Sequence, residues 1–211
     1  MSSDFDSLAP PDAAAPAAAR KRPKPGERRV QILQALAQML EQPGAERVTT
    51  AALAARLDVS EAALYRHFAS KAQMFEGLID FVESTVFGLV NRINEQEADG
   101  RARAARIVSM VLQFSEKNPG MARVMVGDAL VLEHERLQQR MNQLFEKLEA
   151  ALRQCLREGA ASAGTLAPDA DAQVRASVLV AFMAGRLQRF ARSGFRRAPS
   201  EQLDACIARM L

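Results

Sequence analysis

"VSEAALYRHFASK", Val59 to Lys71, sets two alanines just ahead of a tyrosine, an arginine and a histidine in a row. Placed at 100° steps round a helix, Leu64 and Phe68 fall together and form a core face. Ala62, Ala63 and Arg66 share the opposite arc, and Tyr65 and His67 stand on either side of it. Small residues let a helix lie close to a groove floor, and alanine can touch a thymine methyl. Tyrosine hydroxyl and imidazole N–H are phosphate donors, so the two flanks suit groove walls. Lys71 starts the next helix, beside backbone N–H groups that also suit a phosphate.

The surroundings are consistent with that use. A first helix is expected from about Glu27 to Glu41, with Val30, Leu33, Leu36, Ala37 and Leu40 on one face. Thr49 or Thr50 opens a second, short helix through Leu57. "DVS" is the turn, and Ser60 caps a third helix, Glu61 to Phe68. Ser70 caps a fourth, with Gln73 completing a capping box. Two short helices across a tight turn, behind a longer one, make a helix-turn-helix layout.

The remainder of the 211-residue chain reads as helix nearly throughout, so the fold class is all-α. Residues 1–25 form an Ala/Pro-rich tail expected to be disordered, 26–71 the helix-turn-helix domain, and 72–211 a helical regulatory and dimerisation domain. The tail ends in a basic arm, Arg20, Lys21, Arg22 and Lys24, continued by Arg28 and Arg29, that suits phosphates. The net charge is only +3, so basic character that matters is local. In the second domain helices are expected from Lys71 to about Glu95, Arg101 to Lys117, Asp128 to Glu158, Asp169 to Arg192 and from Ser200. "GAASAGTLAPD" reads as a flexible linker. Leu179, Phe182, Met183, Gly185, Leu187 and Phe190 suit a dimer interface, where Ala181 and Gly185 permit close helix approach, and equally an internal core helix, since the two look alike in sequence.

Several function classes recede. The two cysteines, Cys155 and Cys206, fit no disulfide framework, and the two histidines have no second ligand at metal spacing, so no metal or cofactor is expected. No phosphate-cradling glycine loop or nucleophile–base pair points to an enzyme. The longest uncharged apolar run, Ala176 to Gly185, is too short to span a bilayer.

"TTAALAARLDVSEAALYRHFASKAQMF", Thr49 to Phe75, resembles the DNA-binding domain of the TetR family. The resemblance implies a homodimer on a palindromic site in double-stranded DNA, approached by Thr49, Thr50, Ser60, Ala62, Ala63, Tyr65, Arg66, His67 and Lys71. "EKNPGMARVMVGDAL" (Glu116 to Leu130) and "ERLQQRMNQLFEKLEAALRQCLRE" (Glu135 to Glu158) are similar to the branch of that family active in nucleoid occlusion. That likeness implies a protein of the cytoplasm and nucleoid that, once on DNA, meets the division protein FtsZ and blocks septum assembly over the chromosome. It places Phe81, Met110, Gln113, Lys117 and Asn118 at the FtsZ contact. The alternative is a TetR-type repressor released from its operator by a small molecule.

Overall fold

The computed structural model describes residues 26–42, 48–162 and 168–211. Arg20, Lys21, Arg22 and Lys24 lie outside them. Among the described residues all regular structure is helical: α1 (Glu27–Leu40), α2 (Thr50–Arg56), α3 (Glu61–Tyr65), α4 (Lys71–Gln96), α5 (Gly100–Lys117), α6 (Pro119–Met125), α7 (Glu135–Ser162), α8 (Pro168–Arg192) and α9 (Leu203–Met210), with a 3-10 turn at Asp128–Leu130. No helix among them is long and apolar enough to cross a membrane.

Local chemistry sets the first three helices. Thr49 Oγ1 accepts from Ala52 N at 3.1 Å and Ser60 Oγ from Ala63 N at 3.3 Å, each capping its helix. Asp58 takes a left-handed φ of 53°. It ends α2 with Val59 N donating to Ala54 O and Asp58 N to Ala55 O, a Schellman closure. The core face of α1 is Ile32, Ala35, Leu36 and Leu40, while Val30 is exposed. The expected stripe therefore turns by part of a helical step, because α1 packs on α2, α4 and α6 together. At α4, Ser70 Oγ accepts from Gln73 N at 3.2 Å, and the Gln73 amide oxygen accepts from Ala69 N at 2.8 Å, one residue ahead of the box expected.

The second domain is built on α7 and α8. α7 buries Leu137, Met141, Leu144, Leu148, Leu152, Cys155 and Leu156, and α8 buries Ala172, Ala176, Leu179, Met183, Leu187 and Phe190. Both stripes repeat at three and four, so the helices interdigitate along their length. Val82, Val86, Ile107, Val108 and Val111 of α4 and α5 complete the core. Gly100 and Gly159 allow α5 to meet α7: a Cβ on Gly100 would lie 2.1 Å from the Cys155 carbonyl oxygen.

Both ends of the long helix differ from expectation. The long helix starts at Glu135, because Gly127, at φ 84°, opens a 3-10 turn that buries Ala129 and Leu130. α7 also continues through "GAAS", expected as linker, to Ser162.

The helices have a consistent direction. α4 leads away from α1–α3, and α5 returns to α6, which packs on α1. α7 starts where Glu133 pairs with Lys71 and ends against Gly100. α8 returns, and its end reaches α6, where the Arg123 guanidinium sits 5.1 Å from the Phe195 ring centroid.

Candidate nucleic-acid interface

α3 is held by two buried side chains, Leu64 and Phe68, at the positions expected of its core face. Around them Ala62, Tyr65 (45% exposed) and Arg66 face solvent, and Ala63 and His67 are partly covered. The small-residue arc and its polar flanks thus share one exposed surface. The helix proper closes at Tyr65, a turn earlier than expected. Arg66 is its C-cap, and His67 N donates to Leu64 O in a tighter turn. Arg66 and His67 therefore leave the α-helical end of the segment rather than its middle.

Several of the other expected contacts have work inside the protein. Arg29 donates to the His67 carbonyl and stacks 4.0 Å from the Phe68 ring centroid. It clamps the end of the recognition segment, which a free arm residue could not do. Arg28 donates to Gln31 at 3.0 Å. Thr49 and Ser60 spend their side-chain oxygens on caps, which leaves their hydroxyl hydrogens for a phosphate. Thr50 Oγ1 donates to Glu61 Oε2 at 2.5 Å, tying α2 to α3.

Lys71 corrects the expectation of a freely available phosphate donor. Its ammonium pairs with Glu133, 62 residues away, and lies 5.6 Å from the Phe75 ring centroid. Further rungs follow along α4 and α7: Arg136–Glu76 at 2.8 Å, Arg140–Asp80 at 2.9 Å and Arg140–Glu83 at 2.5 Å. Two acceptors on Arg140 outweigh its desolvation and raise its pKa. The ladder couples the helix leaving the DNA-binding domain to the long helix of the second.

On the outer face of α4 and α5 a groove of about 730 Å³ opens against α9. Met110 and Gln113 line it, as do Leu89, Arg92, Arg106 and Ile207. Leu89, Met110 and Ile207 are apolar lining, and Arg92, Arg106 and Asp204 are charged, with Arg106 3.8 Å from Glu97. Phe81, 47% exposed and 6.4 Å from Phe114 centroid to centroid, lies on the same two helices outside the groove. Lys117 is exposed. Asn118 Nδ2 donates to the Phe114 carbonyl at 2.7 Å, so its side chain closes α5. Arg92, Arg106 and Ile207 carry no signal in the sequence: nothing in the local pattern sets the two arginines apart, and Ile207 comes from a helix almost a hundred residues further on.

The expected dimer face needs correction. Leu179, Met183 and Leu187 are buried in the core within one chain, and Phe190 is buried beside Phe195. Phe182 is partly covered, under the Arg186 guanidinium at 4.9 Å. Of the six, Gly185 alone is exposed. It belongs to a different stripe of α8: Val174 (64% exposed), Val178 (49%), Ala181 and Gly185, spaced four, three and four. Three and four spacing marks both stripes alike, and the second is the exposed one.

Cys155 is buried and hydrogen-bonded to Asn94 Oδ1 at 3.5 Å, and burial pushes its thiol pKa up. A thiol held in its neutral form is a poor nucleophile.

Comparison with known proteins agrees with both halves of this geometry. Residues 32–78 match the family model of bacterial regulatory proteins of the tetR family, and residues 99–209 match that of the SlmA-like tetracyclin repressor-like C-terminal domain. The chain is 50% identical over 182 residues to the nucleoid occlusion factor SlmA of Alteromonas mediterranea, covering 86% of this chain and 92% of that protein. The same figures hold for SlmA of Photobacterium profundum. Among solved structures, the transcriptional regulator FadR of Bacillus subtilis, in complex with stearoyl-CoA, has a TM-score of 0.66 over 86% of this chain and 96% of its own, at 16% identity. That likeness concerns the fold alone.

Proposed function

The chain belongs to the SlmA branch of the TetR family, and from that premise we propose that it is a DNA-bound nucleoid occlusion factor. It binds palindromic sites in chromosomal DNA as a homodimer. Once there, it engages FtsZ and keeps a septum from assembling over the chromosome. The observation that carries this reading is the 50% identity running through both domains, since it includes the bundle as well as the shared helix-turn-helix.

The geometry supports each part. Ala62 and Ala63 let α3 approach a major-groove floor, Arg66 reaches for a base edge or phosphate, and Tyr65 and His67 take the flanking phosphates. Val174, Val178, Ala181 and Gly185 pack against their symmetry mates, an isologous contact of the kind a two-fold dimer requires. The groove between α4, α5 and α9 receives an extended segment of FtsZ, with apolar side chains on Leu89 and Met110 and carboxylates on Arg92 and Arg106. The reading needs no chemistry from the protein itself.

A repressor that releases DNA on binding a small molecule inside the bundle needs an interior space. Here Val86, Val111, Leu148, Leu152, Leu179 and Met183 fill that interior with no measurable exposure. A chromosome-wide map of binding sites separates the two. Nucleoid occlusion predicts many sites spread over the chromosome and sparse near the replication terminus. A single site beside a neighbouring operon would establish the repressor instead.

A further inference from the structure

Lys71 opens α4 at a position that suits a phosphate donor, yet its ammonium is turned inward onto Glu133, 62 residues further along the chain. Both side chains are largely screened from water, Lys71 at 26% and Glu133 at 11% exposure. The Phe75 ring backs the ammonium, its centroid 5.6 Å away. Glu133 has no second cation among the described residues, since the nearby Arg136 pairs with Glu76 instead. A carboxylate so placed holds the lysine, and is left uncompensated when the lysine moves away.

Both partners stand on fixed backbone. On the first side Arg29 donates to the His67 carbonyl, the Gln73 amide oxygen accepts from Ala69 N at 2.8 Å, and Ser70 Oγ accepts from Gln73 N at 3.2 Å. On the second, Glu133 N donates to Leu130 O at 3.0 Å, behind the buried Ala129 and Leu130. Leu137 N then donates to His134 O at 2.9 Å as α7 begins. The lysine stem is the flexible part: a four-carbon chain carrying a compact charge with three donors. A change of partner at Lys71 is therefore the swing of one side chain and needs no movement of a helix.

Position supplies the second partner. Lys71 follows His67 by four residues, a span of at most about 14 Å. The major groove is about 12 Å wide, between two walls of phosphates. With α3 in that groove, the start of α4 stands at a wall, and Glu133 and a phosphate compete for one ammonium. We propose that Glu133 is a positioning residue for DNA binding: it withholds Lys71 in the free protein, and Lys71 exchanges this carboxylate for a phosphate when α3 enters the groove. Breaking the pair offsets part of the phosphate contact, so Glu133 lowers affinity for DNA of any sequence. In the other direction, bound DNA releases Glu133 at the foot of α7, the first rung of the ladder that Arg136–Glu76 and Arg140–Glu83 continue. By linkage, whatever favours the released pair also favours DNA. The proposal rests on the DNA-binding reading above.

Fluorescence anisotropy of the full-length protein on a mixed-sequence duplex of about 40 bp, between roughly 50 and 200 mM KCl, tests it. Glu133→Gln should strengthen binding about fivefold, because an ion pair of this kind is worth a factor of about two to five in each chain. It should also steepen the log–log salt slope by up to about 0.9 per chain, since Lys71 then releases a counterion and no freed carboxylate takes one up. Glu133→Asp keeps the charge but shortens its reach, and should give a smaller gain. The deciding comparison is a double-mutant cycle with Lys71→Gln, in which the gain from Glu133→Gln should vanish. A pair that only joins the two domains predicts the reverse, and binding weakened or unchanged in both Glu133 variants overturns the proposal. So does an equal gain in the Lys71→Gln background, which would reflect only the loss of a negative charge near DNA. If wild-type protein shows no salt-dependent binding, the DNA-binding reading itself fails.

Discussion

α3 and α8 are held in opposite ways. α3 is a five-residue helix anchored by Leu64 and Phe68, steadied by the Ser60 cap and the Arg29 clamp, with nearly everything else exposed. α8 spans 25 residues and buries one face completely against α7, leaving a narrow stripe of small and β-branched residues outside. A short helix fixed by caps can present side chains to a ligand with little of its own surface committed to the core. A long helix fixed by interdigitation contributes stability along its length and has only its outer stripe to offer a partner. Substitutions should therefore divide cleanly: those in α8 change folding or association, and those in α3 change DNA binding.

The largest effect expected is on folding. Met183→Ala leaves a cavity between α7 and α8 and should cost about 2–5 kcal/mol of stability, read from urea denaturation. A loss confined to dimer dissociation, with the monomer fully stable, would return Met183 to the interface and break the contrast. Next comes association. Val178→Glu sets like charges against each other across the proposed two-fold axis and should weaken self-association by about 2 kcal/mol or more. Sedimentation equilibrium should show monomer at concentrations where wild type is dimeric, with helix content intact. A dimer of unchanged affinity would mean that the outer stripe of α8 is not the interface.

On α3, Arg66→Ala should lower affinity for a selected operator by about 1–3 kcal/mol while leaving stability within about 0.5 kcal/mol. Unchanged affinity and footprint would take Arg66 out of the groove. The smallest effect belongs to the cap: Ser60→Ala should cost about 1 kcal/mol of stability, with a few-fold loss in DNA affinity as α3 frays. If that loss of affinity exceeds the loss from Arg66→Ala, the cap hydroxyl contacts DNA directly.

The same contrast explains what could be read from the residues alone. Polar and small side chains at helical spacing disclosed an exposed surface, because burying Tyr65, Arg66 and His67 without partners would be costly. Caps at Thr49, Ser60 and Ser70 disclosed where helices begin, since each acts over three residues. Apolar periodicity on α8 disclosed that a face is buried but not by what: α7 covers Leu179 and Met183 as a dimer partner would. The Lys71–Glu133 pair and the α9 wall of the groove join residues far apart in the chain, and local pattern carries no trace of them. The early close of α3 is likewise unmarked, and after Gly127 the run Asp128 to Glu133 contains neither glycine nor proline to show how far the break extends.

The central question is whether DNA makes this protein act on FtsZ. GTP-dependent assembly of FtsZ from the same organism can be followed by sedimentation with the protein alone, with a selected operator duplex alone, and with both. A marked loss of pelleted FtsZ is expected only when protein and duplex are present together, with recovery of the pellet for Arg66→Ala at DNA concentrations that leave that variant unbound. Pelleted FtsZ that is unchanged by protein at saturating operator DNA would contradict the proposed function.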